Sequence, residues 1–340
     1  MKKLFLLPVV FLSLAFSSFS FNWNYSTPEE HGIDSKVIQK VYDGLKDKDV
    51  RSCIVIKDEK IISEYYKPGY SKNSIFSLQS VSKSITSALI GIAIDQGLIK
   101  SVDDPAYIYC PQLENAKNPV MKTITVKQLL NHTSGLLGTD SKIWNQWRNS
   151  SDWIEYILSR PMTATPGTFF EYSTGNTHLL AAILENVYKK SLLQIAEEQL
   201  FSKIGITSAS CGTGPEGVGD GGNGFSMTAY DMARFGQLYC NMGKWEGKQI
   251  IPESWVKEST KVQARRPSTG SRYGYQWWIR NYGKNGYDGY CAQGFGGEFI
   301  FVVPKINLIV VFTSWYLGDT TFYYLDANAI ADSFNPEQKR

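Results

Sequence analysis

The stretch from Ser77 to Lys100, SLQSVSKSITSALIGIAIDQGLIK, crowds its polar residues at the amino end and its apolar ones behind them. Ile85, Ala88, Leu89, Ile90, Ile92, Ala93 and Ile94 leave hardly any polar face, which predicts a centrally buried helix of about six turns. Gly97 supplies its stop. Before it, Asp34 to Asp47 has the spacing of an amphipathic helix. Arg51 to Tyr66 reads as a hairpin, with SCIVI and KIISEYY as strands around Asp58-Glu59. From Lys100 to about Ser259 the pattern is helices and long loops, including VKQLLNHTSGL, WIEYILSR, HLLAAILENVYKK, LLQIAEEQLFSKIGI and TAYDMARFGQLYCNMG. Strand character returns in YGYQWWIRNY, GGEFIFVVP and LIVVFTSWY, the last two divided by Pro304-Lys305-Ile306-Asn307. TFYYLDANAIADSFN reads as a closing helix.

Strands at both ends of a helical middle predict an α+β fold with one antiparallel sheet, built from about 25–75 and 270–340. Helices flank it, and about 100–260 forms a helical insertion lobe. A cleft between sheet and lobe is a natural site, with Ser80 at the boundary.

Composition narrows the classes. A chain of 340 residues, 43% hydrophobic and 20% charged, has the profile of a globular protein, and a net charge of +3 gives no case for nucleic acid. Lys2 and Lys3, the apolar run Leu4 to Phe16, and the small residues Ser18 and Ser20 predict a secretory signal over 1–20, cut after Ser20. The mature domain is then 21–340, exported to a periplasm or secreted. No cysteine follows the apolar run and no later segment has membrane-spanning length, so no stable membrane anchor is expected after signal removal. The five cysteines (Cys53, Cys110, Cys211, Cys240, Cys291) are odd in number, so at least one is unpaired within the chain. With three histidines (His31, His132, His178) and no C-x-x-C, no metal site is expected.

The candidate chemistry lies at the amino end of the apolar stretch. Ser80 and Lys83 are three apart and share a helix face. A hydroxyl at a helix start meets unpaired N–H groups and the positive dipole end, which favours a developing anion. Burial lowers a lysine pKa, and a neutral amine beside a serine is a base beside a nucleophile. S-x-x-K alone equally describes a cap with a solvated lysine, and Ser254–Lys257, after Ile-Pro-Glu, is read that way.

Three further segments separate the two matches: ITVKQLLNHTSGLLG (Ile124–Gly138), PGTFFEYSTGNTHLLAAILE (Pro166–Glu185) and YCAQGFGGEFIFVVP (Tyr290–Pro304). With them, and with flanking phrases such as FSMTAYDMARFGQLYCNMGKWEGKQIIPESW and YGYQWW, the chain resembles the serine β-lactamase and penicillin-binding-protein superfamily. Within it the likeness is to the class C-like branch that includes esterases and aminohexanoate-dimer (nylon-oligomer) hydrolases. It covers nearly all of the chain after the signal. The resemblance implies a β-lactamase/transpeptidase-like fold, Ser80 as nucleophile, and Lys83 as its partner in proton transfer. Tyr172 matches the tyrosine of the family's Y-x-N motif, acting as phenolate or as lysine-linked hydroxyl. The K-T-G position falls on Ala292-Gln293-Gly294, and the N–H of Phe295 would join that of Ser80 as an oxyanion hole. Substrate contacts would come from Asn176, Ala292, Gln293 and Gly294. The implied partner is a small-molecule ester or amide, with no cofactor.

The departures shape the expectation. Tyr172 is followed by Ser173 and Thr174, so the asparagine of Y-x-N is absent, with Asn176 as a stand-in. Ala292 replaces a cation that binds the carboxylate of β-lactams, which favours ester or amide hydrolysis over antibiotic hydrolysis. Arg265, Arg266 and Arg272 are candidates to replace that charge. Tyr239-Cys240-Asn241 and Ser268-Thr269-Gly270 imitate the motifs without their context, and Gly212 to Gly217 matches G-x-G-x-x-G without a strand and helix around it. His132 and His178 are expected in the scaffold, and Glu171 and Glu298 in solvated or scaffold roles. For Trp144, Trp147, Trp277 and Trp278 both core packing and the lining of an acyl pocket are open, with core packing at least as well supported. A D-alanyl peptidase or β-lactamase is the rival enzyme, and an inactive ligand-sensing module on the same fold the rival from another class.

Overall fold

The computed structural model describes residues 23–140 and 143–338. The signal sequence expected over 1–20 lies outside the described residues. Nine strands form the main sheet among the described residues. Their order is Asn24–Tyr25, Lys60–Tyr66, Val50–Lys57, Leu308–Ser314, Phe299–Val303, Tyr287–Gln293, Trp278–Tyr282, Arg272–Tyr273 and Ala264–Arg265. Both ends of the chain thus meet in the middle, where Val310 pairs with Val55. Neighbours are antiparallel except at one edge, where Asn24–Tyr25 runs parallel to Lys60–Tyr66. The antiparallel sheet expected thus carries one parallel pair at its edge. The helix Ser35–Leu45 and the strand Val50–Lys57 intervene, giving the long connection that parallel pairing needs. At the hairpin expected over 51–66, Asp58 and Glu59 both take positive φ, the backbone of a two-residue turn between twisted strands.

LIVVFTS reads as a continuous apolar run because it is buried on both faces. Ile309 and Val311 face one core with Ile54, Ile56, Ile300 and Val302. Leu308, Val310 and Phe312 face another with Cys53, Val55, Phe299 and Phe301. The helices Ser82–Asp95 and Ala229–Cys240 contribute to the first core, and Ser35–Leu45 with Thr321–Asp332 to the second. The result is helix, sheet, helix, with the segments between 100 and 260 extending the first helical layer into a lobe. Ile75–Ser77 departs from the sheet expected over 25–75. It pairs instead with Phe225–Thr228 in a small separate sheet that the sequence did not reveal. All five cysteines are free, four of them buried.

The apolar stretch is organised differently from one long helix. A 3-10 turn, Gln79–Val81, precedes the α-helix Ser82–Asp95, and Gly97 ends it at φ 70-odd degrees, in the left-handed region. The break has two causes. Leu78 is tied by its N–H to the carbonyl of Phe225, 2.9 Å away, and Gln79 takes a left-handed backbone at φ 48°. The hydroxyls along the helix fasten the lobe to it. Ser82 Oγ accepts from Phe225 N at 3.2 Å, and Thr86 Oγ1 donates to Gly221 O at 2.8 Å. Polar residues in an apolar helix thereby pin the loop Asp220–Gly224 against its first turns.

Candidate active site

Ser80 sits in the turn that introduces the central helix, and Lys83 in the first turn of the helix itself, 1% exposed. Lys83 Nζ donates to Ser80 Oγ at 2.9 Å, Thr174 Oγ1 at 2.9 Å and Gly222 O at 3.0 Å, so each of its hydrogens has one acceptor. Burial pushes its pKa down to about 8, while the charges of Asp140 and Asp220 push it up. The amine is therefore substantially neutral at mildly alkaline pH. Ser80 Oγ donates to Asn223 Oδ1 at 3.1 Å, an orientation fixed by the pinned loop.

Thr174 relays this arrangement to a carboxylate. Its Oγ1 donates to Asp140 Oδ1 at 2.7 Å, and its backbone N–H donates to Asp140 Oδ2. Asp140 thus caps the positive end of the helix Thr174–Tyr188, where an anion is favoured. Tyr172, two residues earlier, has its ring stacked on Trp278 at 5.8 Å and lies 5.1 Å, centroid to Nζ, from Lys83. Burial and then the Asp140 charge push its phenol up. A hydrogen bond to Ser80 and the charge of Arg266 pull it back only in part. A raised phenol disfavours the phenolate, so of the two forms that the resemblance allows, the neutral hydroxyl linked through Ser80 to Lys83 fits.

Gln293 ends the strand Tyr287–Gln293, and the turn Gly294–Gly297 follows. Gly294 N–H is held by Glu298 O at 2.7 Å, so it is not free to meet a substrate. Phe295 and Ser80 both border the cleft. Ala292 does not. It is 1% exposed, pairs with Ile300 and packs in the core with Tyr290 and Val302, because strand alternation turns it away from the face that Gln293 presents. Asn176 does not reach the cleft either. It is 1% exposed, its Oδ1 accepts from Ser134 Oγ at 2.9 Å, and its amide lies against His132 Nδ1 at 3.4 Å. Lying inside the helix, it points back toward the loop at 131–138. The expected substrate contacts of Ala292 and Asn176 are corrected accordingly. Gln293 and Gly294 do line the cleft.

The cleft has two adjoining parts with Ser80, Asp140 and Phe295 on the border between them. One, about 470 Å³, is walled by Phe170, Tyr172, Trp278, Glu171, Arg266 and Gln293 among others. The second, about 390 Å³, is walled by Gln79, Trp144, Asn223 and Trp315. Sequence reasoning missed Asp140, Thr174, Asn223 and Trp315. The S-T after Tyr172 hinted at Thr174, but Asn223 meets Ser80 across 143 residues of chain and no local pattern announces it. Arg266, one of three arginines considered, is the one on the first wall; Arg265 and Arg272 line a separate groove behind Trp278.

Most of the remaining residues are scaffold. His132 is fully buried, its Nε2 3.2 Å from the Tyr273 hydroxyl, and burial followed by the Lys83 charge holds it well below the usual imidazole range. His178 pairs with Glu216, which comes from the Gly212–Gly217 loop. Trp147 and Trp277 are core residues, whereas Trp144 and Trp278 face the cleft. Ser254 and Lys257 lie on a surface helix, with Lys257 paired to Glu253 at 2.6 Å. Tyr239 is buried against Trp277 at 4.5 Å, and Ser268-Thr269-Gly270 is an exposed turn, of which Ser268 reaches the rim of the cleft.

Comparison with known proteins identifies the family and the fold. A family model described as Beta-lactamase matches residues 47–333. The 6-aminohexanoate-dimer hydrolase of Paenarthrobacter ureafaciens is 24% identical over 294 residues, which cover 80% of this chain and 74% of that protein. Among solved structures, a family VIII carboxylesterase superposes with a TM-score of 0.72 at 18% identity, covering 91% of this chain and 98% of its own. A D-stereospecific amidohydrolase from Streptomyces sp. superposes with a TM-score of 0.70 at 15% identity, covering 87% and 98%. At these identities the structural likeness is one of fold.

Proposed function

Since the chain belongs to the β-lactamase family, we propose that it is an exported serine hydrolase that cleaves a carboxylic ester or amide through an acyl-enzyme on Ser80. The single observation that carries this reading is the buried Lys83 amine 2.9 Å from the Ser80 hydroxyl. Ser80 Oγ bonds to the substrate carbonyl carbon as its proton passes to neutral Lys83. The N–H groups of Ser80 and Phe295 receive the oxyanion. Collapse breaks the bond to the leaving oxygen or nitrogen, which takes up the proton by way of the Tyr172 hydroxyl. Water then repeats the sequence on the acyl-enzyme and releases the acid. A pure sensing module would need none of Ser80, Lys83 and Tyr172, so their joint presence favours catalysis. Arg266 on the cleft wall supports a second reading, a D-alanyl peptidase or β-lactamase, because it supplies a cation that Ala292 does not.

The test is labelling of the intact protein with a fluorophosphonate probe. Adduct mass on Ser80, lost in Ser80→Ala and kept in Ser254→Ala, supports the reading; an adduct on Ser254, or none, overturns it. A panel of nitrophenyl esters, nitrocefin, D-alanyl dipeptides and 6-aminohexanoate dimer then separates the two enzyme readings.

A further inference from the structure

Both parts of the cleft carry aromatic walls, and they differ in their charged side chains. The part beside Tyr172 adds Arg266, Glu171 and Gln293 to its rings Phe170 and Trp278, with Gln293 Oε1 accepting from the Tyr324 hydroxyl at 2.5 Å. The part on the other side of Ser80 is bounded by Trp144, Phe295 and Trp315, with the uncharged amides of Gln79 and Asn223. Its one carboxylate, Asp140, is already engaged by Thr174. Phe295 is 65% exposed and Trp315 42%, their rings crossing edge to face at 6.0 Å. Large aromatic surface left facing water beside a nucleophile is the mark of a binding site for an apolar group. Trp144 is braced from behind, its ring 5.4 Å from that of fully buried Trp147.

The proton path proposed above, with Tyr172 as donor to the leaving atom, assigns each half of a substrate to a side. The leaving atom must receive a proton. The three acceptors around Lys83 enclose its amine beneath Ser80, whereas Tyr172 stands on the open wall. The leaving group therefore occupies the Tyr172 side. The acyl group, attached through the same carbonyl carbon, extends to the other side.

We propose that the cavity between Trp144, Phe295 and Trp315 is the acyl subsite, and that it selects esters or amides of extended apolar carboxylic acids. This rests on Ser80 being the acylated residue. Each methylene buried against these rings contributes roughly a two- to fourfold gain in kcat/KM, somewhat less than full burial would give because the rim is open.

The experiment keeps the leaving group constant and varies the acyl chain, using nitrophenyl acetate, butyrate, hexanoate and octanoate. The proposal expects kcat/KM to climb with chain length until the cavity is filled. It also expects Trp315→Ala to lower the hexanoate-to-acetate ratio roughly tenfold. Phe295→Ser, at an exposed position that keeps its backbone N–H, should lower the same ratio and guards against misfolding of the tryptophan variant. A flat or falling series with fluorophosphonate still labelling Ser80 overturns the subsite and leaves the hydrolase reading standing. A rising series that neither substitution changes also overturns it. No turnover and no label on Ser80 overturns both.

Discussion

Gly294 lies directly against Leu78: a β-carbon on the glycine would sit 2.5 Å from the Leu78 carbonyl oxygen. The strand end and the turn carrying Ser80 touch there, and only a residue without a side chain allows it. The contact sets how closely the N–H of Phe295 approaches that of Ser80.

Gly294→Ala must therefore push the two segments apart by several tenths of an ångström, enough to spoil an oxyanion hole. Loss of one such donor costs roughly a hundred- to a thousandfold in kcat. We expect a loss of that order with circular dichroism unchanged. Near wild-type kcat in a folded Gly294→Ala enzyme would remove Phe295 from the mechanism.

The acid limb of the rate profile should report Lys83. Burial lowers its pKa to about 8 and Asp140 is the largest influence raising it, so the neutral base accumulates, and kcat/KM rises, as pH climbs through about 8. Asp140→Asn removes a raising charge, so the midpoint should move to lower pH even if the plateau falls. A midpoint that stays in place or moves up contradicts the assignment of the limb to Lys83.

Periodicity made the layers legible because burial on both faces writes itself into the residues, as in LIVVFTS. Ser80, Lys83, Tyr172 and the Gly294 turn were legible because each is a local motif. Asn223 and Asp140 were not, since they reach Ser80 and Thr174 from segments distant in the chain, and only folding brings them there. The long helix was misread at its start because its composition carries no sign of the Leu78–Phe225 bond that breaks it. Ala292 was placed in the cleft by its alignment with the K-T-G position, yet strand alternation turns it into the core.

That placement changes the test of substrate class. A lysine at 292 would be buried without a partner, so Ala292→Lys should destabilise the protein by several kcal/mol and not improve binding of a β-lactam carboxylate. The cation on the wall is Arg266, which is exposed and so contributes modestly. Nitrocefin turnover should be weak relative to nitrophenyl esters, and Arg266→Gln should lower the nitrocefin-to-ester ratio by a factor of about three to five. Nitrocefin turnover above ester turnover in the wild-type enzyme would refute the ester reading and promote the lactamase one.

Glu298 links the stability of the fold to pH. It follows the Gly294–Gly297 turn, is 1% exposed, and holds Gly294 through its own carbonyl. Its Oε1 accepts from Ser314 N at 3.4 Å, while Oε2 is buried without a hydrogen-bond partner in the protein. Burial pushes this carboxyl from its ordinary 4.5 up to about 8, and the Ser314 N–H and the Arg51 charge offset only part of that. The folded chain therefore keeps a proton between about pH 4.5 and 8 that the unfolded chain has already released. Unfolding gives the proton up, so rising pH favours the unfolded state across that window, by at most about 1.4 kcal/mol per pH unit. Above about 8 both states are ionised and this contribution is flat. Glutamine has the shape of the neutral acid and does not titrate. Glu298→Gln should thus gain stability relative to wild type as pH rises from about 5 to 9, the change falling inside the window that linkage prescribes. Urea-unfolding midpoints of both proteins across that range provide the measurement. A wild-type-to-variant difference that stays constant with pH would mean that Glu298 is ionised in the folded protein throughout.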